Sequence, residues 1–141
     1  MISTKPDDSS LVTPTNTEPD LPLPHGVSLI PEFSVYPVGT EIVNVVWRND
    51  TDKKVGFGAS HALDKRVDDK WERVNYAQDN LSWISILYVI APHSQIDYAY
   101  WLVCYVPLET GNYRFVVNFW DQNPPIGSTS EHRIYAEFAL V

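Results

Sequence analysis

Cysteine is nearly absent: the 141 residues hold a single thiol, Cys104. One cysteine excludes an internal disulfide and any multi-cysteine zinc site, and its aromatic-rich surroundings predict a buried, inert thiol. The redox compartment stays open, because exported domains often lack disulfides. Cations are also scarce, with 10 Lys and Arg against 18 Asp and Glu and a formal charge of -8. A field of that sign repels phosphate backbones and anionic lipid surfaces, which excludes nucleic acid as a partner. No apolar run reaches the roughly 18 residues of a transmembrane segment, and the first ten residues lack the apolar core of a signal peptide. The expectation is therefore a chain that is cytosolic, or one exported with its signal removed. No segment shows a sustained 3.6-residue apolar stripe with caps, so residues 75–82 are read as a loop.

What is abundant is strand chemistry. Five Trp, eight Tyr and five Phe accompany many Val, Ile and Thr, and apolar residues make up 44% of the chain. Residues 1–24 differ: they hold five of the eleven prolines, many Ser, Thr and Asp, and no aromatic residue. Such a composition does not offset its ordering entropy, so a flexible, partly extended tether is expected, of the kind that separates a folded module from an anchor or a preceding domain. Residues 25–141 form one folded domain.

Within that domain, alternation places strands at residues 27–33, 41–49, 55–67, 71–75, 84–90, 95–103, 113–121 and 131–140. Val43, Val45 and Trp47 share one face of the second segment. Tyr113, Phe115, Val117 and Phe119 form an apolar face late in the chain, and Ile134, Ala136, Phe138 and Leu140 form another, so each is expected to cover one side of a shared core. Turn residues separate the segments: "YPVGT" at 36–40, "NDTDKK" at 49–54, "VDDKW" at 67–71 with Asp68 and Asp69 as a hairpin turn, "APHSQ" at 91–95 and "LETGN" at 108–112. The fold class that follows is all-β, an antiparallel sandwich of seven or eight strands.

"LETGNY" has the leucine, glycine and tyrosine spacing of a tyrosine corner, with Leu108 seating the loop, Gly111 permitting the bend, and the Tyr113 hydroxyl turned back onto the loop backbone. Together with "YPVGTEIVNVVWRNDTDKKVGFG" at 36–58, "ALDKRVDDKWERV" at 62–74 and "GNYRFVVNF" at 111–119, this corner makes residues 27–141 resemble the bacterial immunoglobulin-like domains of surface and lipoprotein-like proteins. The resemblance implies an immunoglobulin-like antiparallel β-sandwich and transfers no active-site residue. The chain departs from it at "APHSQIDYAYWLVCYVPLE", which is unusually aromatic.

Catalytic and metal chemistry find little footing. His25, His61, His93 and His132 have no metal-ligand spacing, so no metal and no cofactor is expected. His61 reads as a partly buried structural side chain, and His25 and His93 as exposed turn neighbours. Ser60 and His61 are sequence neighbours whose side chains point to opposite strand faces, the wrong geometry for a nucleophile and base. Nothing singles out a pair among Asp64, Asp68, Asp69, Glu72, Asp97 and Asp121 for glycoside hydrolysis. "NDTD" at 49–52 lacks the spaced ligands of a calcium loop and reads as a turn, and Asn49 and Asn80 match the glycosylation sequon. The chain is expected not to be an enzyme.

The surplus of rings is the one pattern that reaches toward recognition. Trp83, Tyr88, Tyr98, Tyr100, Trp101, Tyr105, Trp120 and Tyr135 exceed what one small core readily holds. Tyr98 and Tyr100 share a face and Trp101 lies on the other. Such rings either pack beneath the 75–82 loop or stand in solvent, where Trp83, Trp101 and Trp120 would bind a protein or glycan partner. The expected role is a non-catalytic, surface-displayed module for protein interaction, adhesion or spacing, extracellular or at the cell surface. Alternatives are a carbohydrate-binding sandwich, which needs those three tryptophans coplanar or along one groove, and a protease-inhibitor-like sandwich presenting a loop. Composition sets no oligomeric state.

Overall fold

Alternating burial along the chain yields ten strands in a computed structural model that describes residues 26–78, 81–122 and 131–141. The tether reading of residues 1–24, His25 and the sequon at Asn80 lie outside the described residues. In chain order the strands are β1 (Val27–Pro31), β2 (Val35–Tyr36), β3 (Ile42–Asn49), β4 (Val55–Gly58), β5 (Ala62–Val67), β6 (Lys70–Arg73), β7 (Leu87–Ile90), β8 (Ser94–Trp101), β9 (Gly111–Asp121) and β10 (Glu131–Leu140). They form a β-sandwich. One sheet has the order β1-β3-β8, and the other runs β2-β10-β9-β4-β7 with β5 pairing β9 and β6.

The core lies between the sheets. From one side come Val43, Val45, Trp47 and Tyr100, and from the other Phe57, Tyr113, Phe115, Phe119 and Phe138, all buried. Trp47 stacks on Phe57 with ring centroids 4.3 Å apart, meets Phe119 edge-on, and donates its indole N–H to the Tyr100 hydroxyl at 3.2 Å. That bond satisfies a donor that burial would otherwise orphan.

Three sequence expectations change. First, the two late apolar faces do not oppose each other: β9 and β10 pair antiparallel from Glu131↔Trp120 to Leu140↔Gly111, so both faces belong to one sheet and β1, β3 and β8 supply the opposing side. Strands consecutive in sequence are usually neighbours in a sheet. Second, residues 55–67 are two strands, because pairing stops at Ala59–His61. β4 and β5 both pair β9, but they then diverge to β7 and β6. Third, β2 adds a two-residue parallel pairing with β10 that alternation could not reveal.

Turn geometry follows residue chemistry. Asp68 and Asp69, at φ 51° and 66°, close the β5–β6 hairpin with both central residues left-handed, as a type I′ turn requires. Gly39, at φ 98°, takes the left-handed position of a turn in which the Thr40 N–H donates to the Pro37 carbonyl at 3.2 Å. The chain enters and leaves the sandwich at opposite poles. Gly26 accepts a backbone bond from Asp50 beyond the end of β3, whereas Val141 accepts one from Val38 before its start. Eight residues of strand at about 3.3 Å each put roughly 25 Å between those poles.

Candidate interaction surfaces

The break between β4 and β5 shapes the first surface. Small residues at Gly58, Ala59 and Ser60 interrupt the strand, and His61 turns its ring into the core against Tyr100, Phe115 and Trp83. His61 Nδ1 lies 2.6 Å from the Tyr105 hydroxyl, and the His61 carbonyl accepts from both Tyr105 (3.2 Å) and Tyr76 (2.6 Å). All three contacts are met when Nδ1 carries the proton and donates to Tyr105, which in turn donates to the carbonyl. Burial lowers the His61 pKa from 6.5 to about 4, so the ring is neutral at physiological pH. Burial, with a hydrogen bond to Tyr88, pushes the Tyr98 hydroxyl up to about 12, and burial also raises Tyr100 and Tyr105. The Tyr105 and Tyr76 hydroxyls tie down the His61 backbone at the strand break, and the Tyr100 hydroxyl accepts from the Trp47 indole.

Trp83 is half-buried over this cluster, its ring 4.8 Å from His61 and 6.1 Å from Tyr76. Beside it an open depression of about 410 Å³ is floored by Gly58, Ala59 and Ser60 and rimmed by Trp83 and residues 84–87. A Cβ built on Gly58 would meet only the Ile86 carbonyl oxygen, at 3.7 Å. Ile84, Ile86, Leu87 and Val89 stand exposed along this side.

A second surface is the outer face of the β1-β3-β8 sheet. Cross-strand register sets Ile30 beside Val46 and Ile42 beside Trp101. Trp101 is 54% exposed, and Ile30 and Ile42 are exposed with it. Exposed Asn44, with Glu32 beside it, separates these two apolar pairs along β3, Asp97 lies opposite Val46, and Glu41 is exposed next to Ile42. Solvated sheet faces are ordinarily polar, so the exposed Ile42–Trp101 pair is a candidate contact surface.

The outer face of the other sheet is organised by charge. Asp64, almost fully buried, accepts from Arg73 Nε at 2.7 Å and Arg114 Nε at 2.9 Å. The Arg114 guanidinium lies 4.5 Å from the Trp71 ring centre and 3.9 Å from that of Tyr135, a double cation–π contact. Both Asp64 oxygens are engaged, which makes this a structural clamp. Trp120 shares this face, half-buried opposite Gly56 and Glu131.

The three tryptophans therefore do not make one platform. Trp101 and Trp120 point away from opposite sheets, and Trp83 lies at the strand break, so the coplanar or single-groove arrangement of the carbohydrate reading is not formed. Other rings are drawn inward: Tyr88 stacks on Phe57, Tyr98 meets Tyr88, and Tyr76 stacks on Tyr105 beneath the loop. The Tyr113 hydroxyl donates to the Glu109 carbonyl at 2.7 Å, Leu108 packs on the core, and Gly111 takes φ 155°.

Among the described residues no group of three or more His, Cys, Asp or Glu is placed to hold a metal. In the "NDTD" loop Asp50 pairs with Arg48, and exposed Asp52 lies 2.7 Å from His93 Nε2. Asn49 is no glycosylation acceptor: it is 0% exposed, and its amide nitrogen donates to the carbonyls of Lys53 (2.7 Å), Ala91 (3.1 Å) and Ile90 (3.3 Å). Cys104 is half-buried with its thiol on the Trp101 carbonyl, and burial raises its pKa.

A family model described as "Bacterial Ig-like domain" matches residues 24–139. Among solved structures, an ASH/PapD-like domain of human CEP192 (PapD-like domain 7) is similar at 14% identity, covering 96% of each chain with a TM-score of 0.42. None of the curated proteins compared with the chain matches it.

Proposed function

The chain belongs to the bacterial Ig-like domain family, and from that premise we propose that it is a non-catalytic module, displayed at the cell surface, that holds a protein partner on a rigid sandwich. The observation that carries the reading is the exposed apolar pair of Ile42 and Trp101 on an outer sheet face. Trp101 closes the edge strand β8 beside Ile42, and an indole is the residue type that most often anchors protein interfaces. The acidic rim of Glu32, Glu41 and Asp97 favours a partner whose apolar surface is flanked by Lys or Arg. Opposite poles for chain entry and exit suit a module strung in series, which is how a spacer holds a contact surface away from its attachment.

Two measurements test this. Protease treatment of intact cells that carry the native gene should release the domain, and protection until lysis would overturn surface display. A photo-crosslinking p-benzoylphenylalanine in place of Ile42 should give a discrete protein adduct that disappears when Trp101→Asp is added. An empty lane would leave a spacer with no contact on this face, and the interaction reading would fall.

A further inference from the structure

The break between β4 and β5 leaves His61 in a cage whose walls differ in how they are held. Tyr100 and Phe115 belong to β8 and β9 and are fully buried. Tyr76 and Tyr105 pair across an isolated bridge, fixed by backbone bonds from Ala77 to the Cys104 carbonyl (2.8 Å) and from Val106 to the Asn75 carbonyl (3.1 Å). The remaining wall is Trp83, its ring 4.8 Å from the imidazole, on residues 81–86, which belong to no strand. Its neighbours Ile84 and Ile86 are exposed, so the segment buries little besides that one ring.

What the cage lacks, among the described residues, is an anion. The titratable groups around the ring are Tyr105 at 2.6 Å, Tyr100 from β8, and Tyr76 on the His61 carbonyl. Arg73 and Cys104 act on the hydroxyls of Tyr76 and Tyr105, while β9 and residues 81–86 present Phe115 and Trp83. Asp64, three positions on in β5, is held by Arg73 and Arg114. Nδ1 already donates to Tyr105, so an added proton goes to Nε2 and brings a charge that no described carboxylate offsets. Burial lowers the His61 pKa from 6.5 to about 4 for that reason. Water relieves such a charge, and the wall that water displaces with the least loss of backbone pairing is Trp83.

We propose that residues 81–86 are an acid-released strap: His61 binds a proton, the Trp83 ring lifts away, and the imidazolium is hydrated while the sandwich stays folded. The open form binds the proton near the ordinary value of 6.5 and the closed form near 4, so the open-to-closed ratio rises as pH falls through that window, about 70-fold between pH 7.5 and pH 4.5. Release carries Trp83 into solvent beside Ile84 and Ile86 and extends the depression at residues 58–60 inward to Tyr76 and Tyr105. The strap and the Ile42–Trp101 pair are different surfaces, and the two readings fail independently.

Fluorine NMR of the 5-fluorotryptophan-labelled chain tests this, with the Trp83 resonance assigned by its loss in Trp83→Phe. That resonance should gain the solvent isotope shift of an exposed ring between pH 6.5 and 4, at the midpoint of the His61 imidazole's own titration, while circular dichroism stays that of the folded sheets. Both readings use the unmodified sequence. His61→Gln, checked for wild-type circular dichroism and melting at pH 7.5, should hold Trp83 closed at pH 4.5, which separates this histidine from His93 and His132 beside Asp52 and Asp121. A Trp83 that stays closed down to pH 4, that moves only with global loss of ellipticity, or that opens in His61→Gln at the wild-type midpoint would overturn the inference.

Discussion

Replacing Asn49 by Asp changes one atom of a buried side chain and should cost about 4 kcal/mol at neutral pH. Its two amide protons serve three carbonyls, two of them at the β7–β8 link, while its Oδ1 accepts from the Thr51 N–H (3.0 Å) and hydroxyl (2.6 Å). Asp keeps the Thr51 bonds but turns an oxygen toward Lys53, Ile90 and Ala91. Two lost donor bonds remove roughly 1 kcal/mol each, and an unpaired buried charge facing carbonyl oxygens adds several more, less whatever relaxation recovers. At about 4 °C per kcal/mol the melting temperature should drop by roughly 15 °C. Urea melts followed by tryptophan fluorescence would measure this at pH 7.5 and at pH 4. The sign is set by the carboxyl's folded pKa, which burial and the facing carbonyls raise above its unfolded value near 3.9. The folded state then holds the extra proton, so the deficit relative to wild type shrinks as pH falls toward 3.9, whereas that of Asn49→Ala does not. An Asp variant within 1 kcal/mol of wild type at pH 7.5, or an unchanged deficit at pH 4, would refute the reasoning.

Three other outcomes are expected. Tyr113→Phe removes the bond to the Glu109 carbonyl and should cost about 0.5 to 1.5 kcal/mol in urea melts with the fold retained; a change in partner binding at unchanged stability would contradict a purely structural corner. His61, depressed from 6.5 to about 4, binds its proton more readily unfolded than folded, so stability should fall by up to about 3 kcal/mol as pH drops through that window. His61→Gln should flatten that part of the stability profile, and an unaltered slope would assign it elsewhere. Asp69→Gly relieves a left-handed aspartate in the β5–β6 turn, and a gain of about 0.5 to 1 kcal/mol is expected after loss of its weak, exposed contact with Arg66; a loss would show that contact to matter more.

Much of the fold was legible because strand periodicity survives in single residues. Val43, Val45 and Trp47 point inward, and Asn49 continues the same phase; parity alone therefore predicts a buried asparagine where motif reading saw a sequon. The glycine and small residues of "GFGASHA" signal a break in the third segment, since a strand interior loses packing there. Alternation on either side of Ala59 masked it. Residues 84–86 look like strand and carry no ladder because β4, the partner they would need, has already ended at Gly58. Parity also separates Tyr98 and Tyr100 from Trp101. It does not reveal which sheet a residue joins, so the opposed directions of Trp101 and Trp120 emerge only from the strand order. Asp64 was one carboxylate among several in the sequence, and its clamp requires β6 and β9 to flank β5.

The aromatic surplus can now be divided by physical cause. Trp47, Phe57, Tyr88, Tyr98 and Tyr100 fill the space between sheets, and Tyr76, Tyr105 and Trp83 enclose the imidazole that the strand break turns inward. Trp71 and Tyr135 hold Arg114 over Asp64. After these assignments Trp101 and Trp120 have neither a ring nor a cation against them in the described residues, and Trp101, 54% exposed beside exposed Ile42, is the less covered of the two. A side chain that large left in water costs solubility without adding to the core. A contact made outside the domain would cover it.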